Sequence, residues 1–171
     1  MEAYLRGDHA AFRELFDRYS AQVLRMTRRH LGSDDQAREV VQQTFFQLHA
    51  ARNDFRQGAR LRPWLLTIAM NLVREHWRRQ KRRKMTSLDP ETRAAPAPER
   101  GPIEAQQRVE MLRAALATLP DSQREVVELH WFQELPFAEV ARIVGTSEGA
   151  VRVRAHRAYA RLKELLAERV R

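Results

Sequence analysis

Two predicted helices joined by a glycine-containing turn constrain the fold of this chain more than any other feature. Within residues 136–166, four apolar side chains recur at the spacing of one helical face: Phe137, Val140, Ala141 and Val144. Gly145 follows directly, and glycine adopts the left-handed conformation that ends a helix at little cost. Ser147 can cap the next helix, with Thr146 as the alternative within boundary error. A short helix, a glycine-containing turn and a second helix together predict a helix-turn-helix.

The second helix of this pattern combines a buried stripe with a basic outer face. The stripe is predicted to consist of Val151, Ala155, Ala158, Leu162 and Leu165. The opposite face is predicted to consist of Gly149, Arg152, Val153, His156 and Arg157. Guanidinium groups among small side chains allow a helix to lie deep in a DNA major groove, and the flanking Arg154 and Arg161 suit phosphates. The alternative is a solvated basic face on an ordinary helical hairpin, because helix-turn-helix patterns are easily imitated.

The charge of the chain favours a polyanionic partner. Its 31 Lys and Arg against 22 Asp and Glu give a formal net charge of +9, which favours nucleic acid before membrane. Residues 1–84 carry 18 basic and 9 acidic side chains, so most of this charge lies outside the helix-turn-helix. Residues 74–84 alone hold seven basic side chains, more than a helix C-terminus needs for its dipole. This density indicates phosphate contacts.

Several classes of function are disfavoured by what the sequence lacks. It contains no cysteine, which excludes disulfides and cysteine-based zinc sites. The six histidines show no metal-ligand spacing, and no phosphate loop, zinc-protease motif or nucleophile elbow is present. We therefore expect no enzyme, no catalytic residue, no metal and no cofactor. No apolar run approaches a membrane span and no signal peptide opens the chain, which predicts a cytoplasmic protein without membrane insertion.

The first 84 residues predict three amphipathic helices. Asp8 is expected to cap the first helix, which ends at Gly32, and Pro63 is expected to open the third. The second helix follows residues 33–35. The three apolar stripes are Phe12, Leu15, Phe16, Tyr19, Val23 and Met26; then Val40, Val41, Thr44, Phe45 and Leu48; then Trp64, Leu65, Ile68, Leu72 and Val73. Each stripe must be buried, so a helical hairpin packed on a third helix is the economical arrangement.

A proline-rich stretch separates this block from the helix-turn-helix. Residues 85–104 contain four prolines and few large apolar side chains, which is typical of a linker. Beyond it, Pro120 closes an amphipathic helix, and Asp121 or Ser122 is expected to cap another that carries Val126, Val127, Leu129 and Phe132. No β-alternation of useful length occurs. We predict an all-α chain with a domain at 1–84, a flexible linker at 85–107 and a second domain at 108–171.

Four segments then form a recognisable series. They are GDHAAFRELFDRY at residues 7–19, AREVVQQTFFQLH at 37–49, LRPWLLTIAMNLVREHWRR at 61–79 and the stretch 112–166. In this order they resemble the opening helix of region 2, the polymerase-binding helix, the promoter-melting segment and region 4 of the extracytoplasmic-function (ECF) sigma factors. These are the minimal group of the sigma-70 family of bacterial RNA polymerase subunits. Each segment alone is moderately specific, but four in the family's order are highly specific.

The resemblance implies a function and a set of partners. The chain would be a non-enzymatic specificity subunit that binds core RNA polymerase through the clamp of the β′ subunit and the flap of the β subunit. It would recognise the minus-thirty-five and minus-ten promoter elements and promote DNA melting, with a three-to-four-helix region 2 and a helix-turn-helix region 4. An anti-sigma factor is a further candidate partner. The alternative is a helix-turn-helix regulator that binds duplex DNA without polymerase.

The resemblance also assigns candidate DNA contacts by position. Phe55 and Asn71 match an aromatic and an asparagine that help capture a flipped base of the minus-ten element, and both residue types suit that chemistry. Their alternatives are a loop aromatic packed in a core and an asparagine bonded locally. Neighbouring candidates for the same strand are Arg56, Gln57 and Arg60. Candidates for the DNA backbone are Arg62, Arg74, Arg78, Arg79, Lys81 and Arg82. Candidates for the minus-thirty-five element are Arg152, Val153, Arg154, His156 and Arg157.

One histidine and one helix complete the set of candidate sites. His130 is a candidate phosphate contact, with a partly buried histidine as the equal alternative. The polymerase contacts implied on the helix at 37–49 are Glu39, Val40, Gln42, Gln43, Phe46 and Gln47. The chain departs from the family by carrying Arg38 and Gln43 where relatives usually have acidic residues, and His49 where they have tryptophan. The loss of negative charge leaves the affinity for a basic polymerase surface open, but not the mode of binding.

Overall fold

The computed structural model describes residues 1–31, 33–56, 58–86 and 111–169, with side chains up to residue 83 in the third range and 167 in the last. The chain divides into two units, Met1–Pro96 and Ala97–Arg171. Every regular element within the described ranges is helical, which confirms the prediction of two all-α units. The predicted linker at 85–107 lies almost entirely outside the described residues, so the residue boundaries of the two domains stay a prediction.

Up to residue 86, the described part of the first unit contains one short helix and three long ones. They are α1 (Glu2–Leu5), α2 (His9–His30), α3 (Asp34–Ala50) and α4 (Leu61–Thr86), with a 3₁₀ turn at Arg52–Asp54 before the last. The three long helices confirm the prediction made from the periodicity of the sequence. Periodicity does not predict α1, because that helix spans a single turn. Tyr4 nevertheless anchors it, since its ring is 4% exposed and lies 5.2 Å from the ring of Phe12.

Side-chain caps fix where the helices begin. The carboxylate of Asp8 accepts hydrogen bonds from the backbone N–H groups of Ala10 and Ala11, at 2.8 and 3.3 Å, which confirms the predicted cap of α2. Pro63 does not open α4, because the helix already begins at Leu61. A proline is tolerated in this first turn because the first four N–H groups of a helix have no intrahelical acceptor.

The core of the first unit lies where α2, α3 and α4 meet. One of its clusters consists of Leu31, Val40, Leu72, Val73 and Trp77. The Trp77 indole N–H donates to the backbone carbonyl of His30 at 3.2 Å, so the largest side chain of this cluster is also satisfied as a donor. Phe16, predicted for the buried stripe of α2, is instead 38% exposed. Its ring packs against Phe45, with the ring centroids 4.8 Å apart, and leaves one side in solvent.

Two arginines hold the start of α3. The carboxylate of Asp34 accepts a hydrogen bond from Arg28 of α2 and a second, at 2.8 Å, from Nε of Arg38. These hydrogen bonds lower the pKa of Asp34 to about 2, and the bond from Arg28 has the larger effect. The Arg28 contact therefore ties α2 to the start of α3, and the Arg38 contact lies within α3, although their partial exposure keeps each contribution small.

This pair predicts a dependence of stability on acid. Because the folded pKa of Asp34 lies below its value in the unfolded chain, its contribution is present above about pH 4 and is lost as the pH falls to about 2. We expect Asp34→Asn to remove this component from the free energy of unfolding. Urea denaturation between about pH 5 and pH 2 measures it. Asp35→Asn, which keeps both arginine bonds, is the matched control, and an unchanged pH slope in Asp34→Asn would contradict the assignment.

The second unit contains the helix-turn-helix. Its elements are α5 (residues 111–117), α6 (Asp121–Val127), a π-helical turn (Glu128–Phe132), α7 (Phe137–Val144) and α8 (Glu148–Arg169). Gly145 has φ 70° and ψ 44°, which confirms its left-handed conformation after α7. The Ser147 hydroxyl accepts from the backbone N–H of Ala150 at 3.2 Å and caps α8 as predicted. The helix-turn-helix is therefore confirmed.

The predicted cap of α6 is wrong. The helix begins at Asp121 and its cap position is Pro120, which offers no side-chain acceptor. Asp121 instead pairs with the buried Arg124 one turn later. A carboxylate in the first turn still suits the helix dipole, so the same residue stabilises the start of α6 by a different contact.

A π-helical turn extends α6 and changes which side chains face outward. The wider turn shifts residues beyond it out of the α-helical register. Glu128 and Leu129 are buried, whereas Trp131 is 47% and Phe132 37% exposed. Phe132, predicted for the apolar stripe of this helix, is thus displaced from the core. The remaining core of the second unit includes Leu116, Leu119, Val127 and Ala158.

Candidate nucleic-acid and partner interfaces

The outer face of α8 is exposed where periodicity predicts it. Arg152, His156 and Arg157 are exposed, and Val153 is 48% exposed. The opposite stripe is buried at Val151, Ala155 and Ala158, while Leu162 and Leu165 are half-buried. Arg154 is half-buried and lies beside the outer face, as expected for a flanking residue. The helix therefore presents a basic surface that a major groove could accept.

Arg152 is the best-defined side chain on this face. Its Nη2 and Nε atoms lie 2.6 and 3.2 Å from one carboxylate oxygen of Glu148, one turn earlier. The guanidinium carbon also lies 4.9 Å from the centroid of the Phe137 ring at the start of α7. Arg152 thus connects the predicted recognition surface to the first helix of the helix-turn-helix.

The surroundings of His130 favour its structural alternative over a phosphate contact. Nδ1 lies 2.7 Å from the carbonyl oxygen of Leu135, which can only accept, so Nδ1 carries a proton. The ring stacks on Phe137 with the centroids 3.9 Å apart. A phosphate would have to be met by Nε2, which donates only in the protonated imidazole. His130 accordingly serves first as a packing residue of the helix-turn-helix.

In the first unit, Phe55 lies on the wall of an open cavity. Its side chain is 9% exposed, and its ring centroid is 5.1 Å from that of Trp64. The cavity has a volume of about 520 Å³ and is lined by Met1, Glu2, Ala3, Arg6, Phe55, Gly58 and Ala59. Phe55 is therefore packed against the helical core, as its structural alternative predicts, while it still borders space that a planar ligand could enter.

Asn71 and the basic residues of α4 lie at the surface. The Asn71 side chain is exposed, and its carbonyl oxygen accepts from Nη1 of Arg74 at 2.8 Å, so Asn71 is bonded locally. The other candidates on this helix are exposed at Arg78, Arg79, Lys81 and Arg82, and half-buried at Arg62 and Arg74. Arg79 pairs with Glu75. Arg56 and Arg60 are exposed in the preceding loop, and Gln57 lies outside the described residues.

The helix α3 offers an exposed aromatic among polar side chains. Phe46 is 72% exposed, and it is flanked on this surface by the exposed Gln42 and Gln47. The Gln43 amide donates to the carboxylate of Glu39 at 3.0 Å. Aromatic side chains are enriched at the centre of protein contacts. Sequence and structure agree on this face as a candidate partner surface.

Val40 does not belong to this surface. It is 5% exposed and packs in the core cluster with Leu72 and Trp77. The burial predicted from its periodicity is therefore confirmed, and the polymerase contact implied for it by the resemblance stays a prediction.

The residues that depart from the family pattern have local partners. Arg38 binds the carboxylate of Asp34 at the start of α3. His49 shares a hydrogen bond through Nδ1 with the hydroxyl of Tyr4, and its ring lies edge-on to Phe12 at 6.1 Å. His49 therefore fastens the short α1 to α3. Burial raises the pKa of the Tyr4 hydroxyl above its ordinary value.

The second unit has an apolar groove that sequence reasoning does not find. Its volume is about 570 Å³, and its walls are Leu112, Leu116, Val127, Trp131, Phe132, Tyr159, Leu162, Lys163 and Leu166. The Trp131 and Tyr159 rings meet edge to face at 4.4 Å on its rim. The sequence feature that corresponds to this groove is the pair Trp131 and Phe132, but the exposure of the pair can be understood only when the π-helical turn is known.

Within the described ranges, no group of three or more His, Cys, Asp or Glu side chains could hold a metal ion. None of the described helices is long and apolar enough to cross a membrane.

Comparison with known families gives two matches in order along the chain. The model described as Sigma-70 region 2 matches residues 15–83, and Sigma-70, region 4 matches residues 109–162. The RNA polymerase sigma factor CarQ of Myxococcus xanthus is 34% identical over 170 residues, which cover 98% of this chain and 96% of that relative. The ECF RNA polymerase sigma factor SigM of Mycobacterium tuberculosis is 31% identical over 97% of this chain and 82% of its own length.

Solved structures give the same fold. The sigma factor RpoE of Bartonella quintana, solved in complex with the anti-sigma factor NepR, matches with a TM-score of 0.80 and 26% identity. That match covers 92% of this chain and 97% of RpoE. CnrH, solved in complex with the cytosolic domain of CnrY, matches with a TM-score of 0.73 and 25% identity over 95% of this chain and 92% of CnrH.

Proposed function

Because this chain belongs to the ECF group of the sigma-70 family, we propose that it directs core RNA polymerase to specific promoters and helps to open them. It is a sigma factor of RNA polymerase. In the proposal, residues 108–171 recognise the minus-thirty-five element, residues 1–84 capture the minus-ten element as a single strand, and residues 85–107 link them. The chain would act in the cytoplasm, together with the polymerase.

The observation that carries the proposal is the exposed basic face that each matched region presents. In region 4 it is the outer face of α8, which a helix-turn-helix supports and which suits base edges in a major groove. In region 2 it is the second half of α4, whose arginines and lysine suit phosphates. One unit thus has the chemistry to read duplex DNA and the other to hold its backbone.

The cavity beside Phe55 supports a role in strand capture. A flipped base could enter this space and contact the ring of Phe55, which its partner Trp64 holds in place. Asn71 would exchange its bond to Arg74 for the edge of a base, since an exposed pair of this kind is weak. Arg56 and Arg60 would meet the neighbouring phosphates. The burial of Phe55 makes the cavity, rather than a solvent-exposed ring, the candidate base-binding element.

Two surfaces support the binding of core polymerase. The exposed Phe46, with Gln42, Gln47 and Glu39, forms the candidate contact for the β′ clamp. The apolar groove of the second unit suits an amphipathic helix and is the candidate contact for the β flap. The RpoE and CnrH complexes support an anti-sigma factor as a further partner of this chain.

Reconstituted transcription tests the function. The purified chain is added to core polymerase from the same bacterium with a fragment library of the genomic DNA, and transcript starts are mapped. We expect transcripts whose upstream DNA shares two sequence elements. Sequence-selective duplex binding without any transcript would instead support the polymerase-independent regulator, and failure with every fragment would refute the sigma function.

Phe55→Leu tests the role of the cavity in melting. Leucine retains apolar volume at a site that is 9% exposed, so the unit should stay folded. We expect open complexes on duplex promoters to fall on the order of tenfold, because stacking on a base is lost. The yield should recover on a template that is already unpaired at the minus-ten element. Phe46→Leu is the matched control and should weaken polymerase binding instead; unchanged opening by Phe55→Leu would contradict the assignment.

A further inference from the structure

An aromatic stack lies directly beneath the reading face of α8. It consists of His130, from the π-helical turn, and Phe137, the first residue of α7, with ring centroids 3.9 Å apart and planes inclined by 23°. The bond from Nδ1 of His130 to the Leu135 carbonyl, at 2.7 Å, fixes the orientation of the imidazole. We refer to the two rings as the His130–Phe137 stack.

This stack touches the side chain that the proposed function places on a base. The guanidinium carbon of Arg152 lies 4.9 Å from the centroid of the Phe137 ring, within the range of a cation–π contact. Glu148 holds the same guanidinium from the helix side, at 2.6 and 3.2 Å. The Arg152 side chain is nevertheless 61% exposed, so one part of the guanidinium faces solvent while another is held.

We propose that Phe137 is a positioning residue that orients Arg152 for sequence reading at the minus-thirty-five element. The inference rests on the proposed function, because Arg152 must contact a base for its orientation to matter. It adds a residue of the first helix of the motif to the set that determines promoter specificity. His130 supports the same ring from below and acts through Phe137.

Two physical arguments support a role beyond packing. A free arginine side chain samples many rotamers, and a guanidinium held before DNA arrives loses less entropy when it binds a base edge. The second concerns charge. As Arg152 engages a base and phosphates approach, the Glu148 carboxylate is repelled by the DNA, whereas the neutral Phe137 ring is not. The ring is therefore the support of Arg152 that persists in the complex.

A double-mutant cycle tests the proposal with the full chain bound to core polymerase. The probe is a promoter duplex selected by the wild-type holoenzyme from a library randomised over the upstream element. We expect Phe137→Leu to lower affinity for this duplex by about two- to fivefold, the fold-change of an exposed cation–π contact, and to flatten the preference at one base pair. Phe137→Tyr, which keeps the ring, should behave like the wild type.

The cycle separates positioning from packing. In an Arg152→Ala background, Phe137→Leu should have no further effect, because the residue through which it acts is absent. In an Arg157→Ala background the loss due to Phe137→Leu should persist in full. Equal losses with and without Arg152 would show that Phe137 only packs the helix-turn-helix and would overturn the inference.

Separate control experiments test the folding of the variants and the function of the wild-type chain. Circular dichroism compares the thermal midpoints of the variants, and Phe137→Met repeats the cycle if the leucine variant does not fold. A wild-type chain that supports transcription while the cycle is additive overturns only this inference. A wild-type chain that supports no transcription overturns the proposed function and, with it, the role of Phe137.

Discussion

Trp77→Ala is expected to lower the free energy of unfolding of the first unit by about 3–5 kcal/mol. The indole is 9% exposed and packs in the cluster that joins α3 to α4. It also ties α4 to the end of α2, through its N–H bond to the carbonyl of His30 and an edge contact to the His30 ring at 5.3 Å. Since small domains are stable by about 5–15 kcal/mol, the loss would remove a large share of the total.

Trp131→Ala is the matched control for this change. Trp131 is 47% exposed and its main ring contact is Tyr159 at the rim of the groove, so its removal leaves no closed cavity. We expect a loss of about 1 kcal/mol or less, in the second unit. Urea unfolding followed by hydrogen exchange in α2, α3 and α4 measures the first change. Equal effects of the two substitutions would show that the cluster around Trp77 does not hold the three helices together.

Arg152→Ala is expected to cost the holoenzyme about 1–3 kcal/mol of discrimination at one base pair of the minus-thirty-five element. The side chain is exposed on the outer face of α8 and already held by Glu148 and Phe137, so little reorganisation precedes its contact with a base. The loss corresponds to roughly 5- to 150-fold in relative affinity. Other base pairs of the element should keep their preferences.

Binding competition among single-base variants of the selected duplex measures this effect. Arg161→Ala is the control, because Arg161 flanks the reading face and its position suits a phosphate. It should weaken all duplexes alike and reduce the dependence of binding on salt. A uniform loss in Arg152→Ala would reassign that residue to the DNA backbone. Both variants should bind core polymerase with wild-type affinity, since neither residue lies in the groove or on α3.

The sequence predicts best those parts of the fold in which many residues follow one periodic pattern. The buried stripe of α8 and the three long helices of the first unit each rest on a periodic pattern. The turn at Gly145 rests on a backbone requirement that few residues satisfy, and the caps at Asp8 and Ser147 rest on short-range chemistry. Such features depend mainly on local sequence, so they can be inferred before the structure, although the predicted cap of α6 shows that a local signal can be shifted by one residue.

The sites depend on longer-range contacts and are predicted less well. Periodicity cannot show that Phe55 lies against Trp64, because burial of a loop aromatic depends on how the loop folds back on the next helix. It places Val40 in the core, which the cluster shared with Trp77 confirms, while the polymerase contact that the resemblance implies for Val40 stays a prediction. The groove depends on one widened helical turn, for which the local sequence carries no periodic signal.

The π-helical turn at Glu128–Phe132 restricts where segments of this protein can be exchanged. Successive side chains of this turn make different contacts. His130 packs in the His130–Phe137 stack under Arg152, and Trp131 lines the groove. Removing one residue to restore an ordinary α-helix would rotate every later position by about a quarter to a third of a turn. The contacts beside Arg152 and the shape of the groove thus share one length constraint, so chimaeras that exchange either surface should be joined outside these five residues.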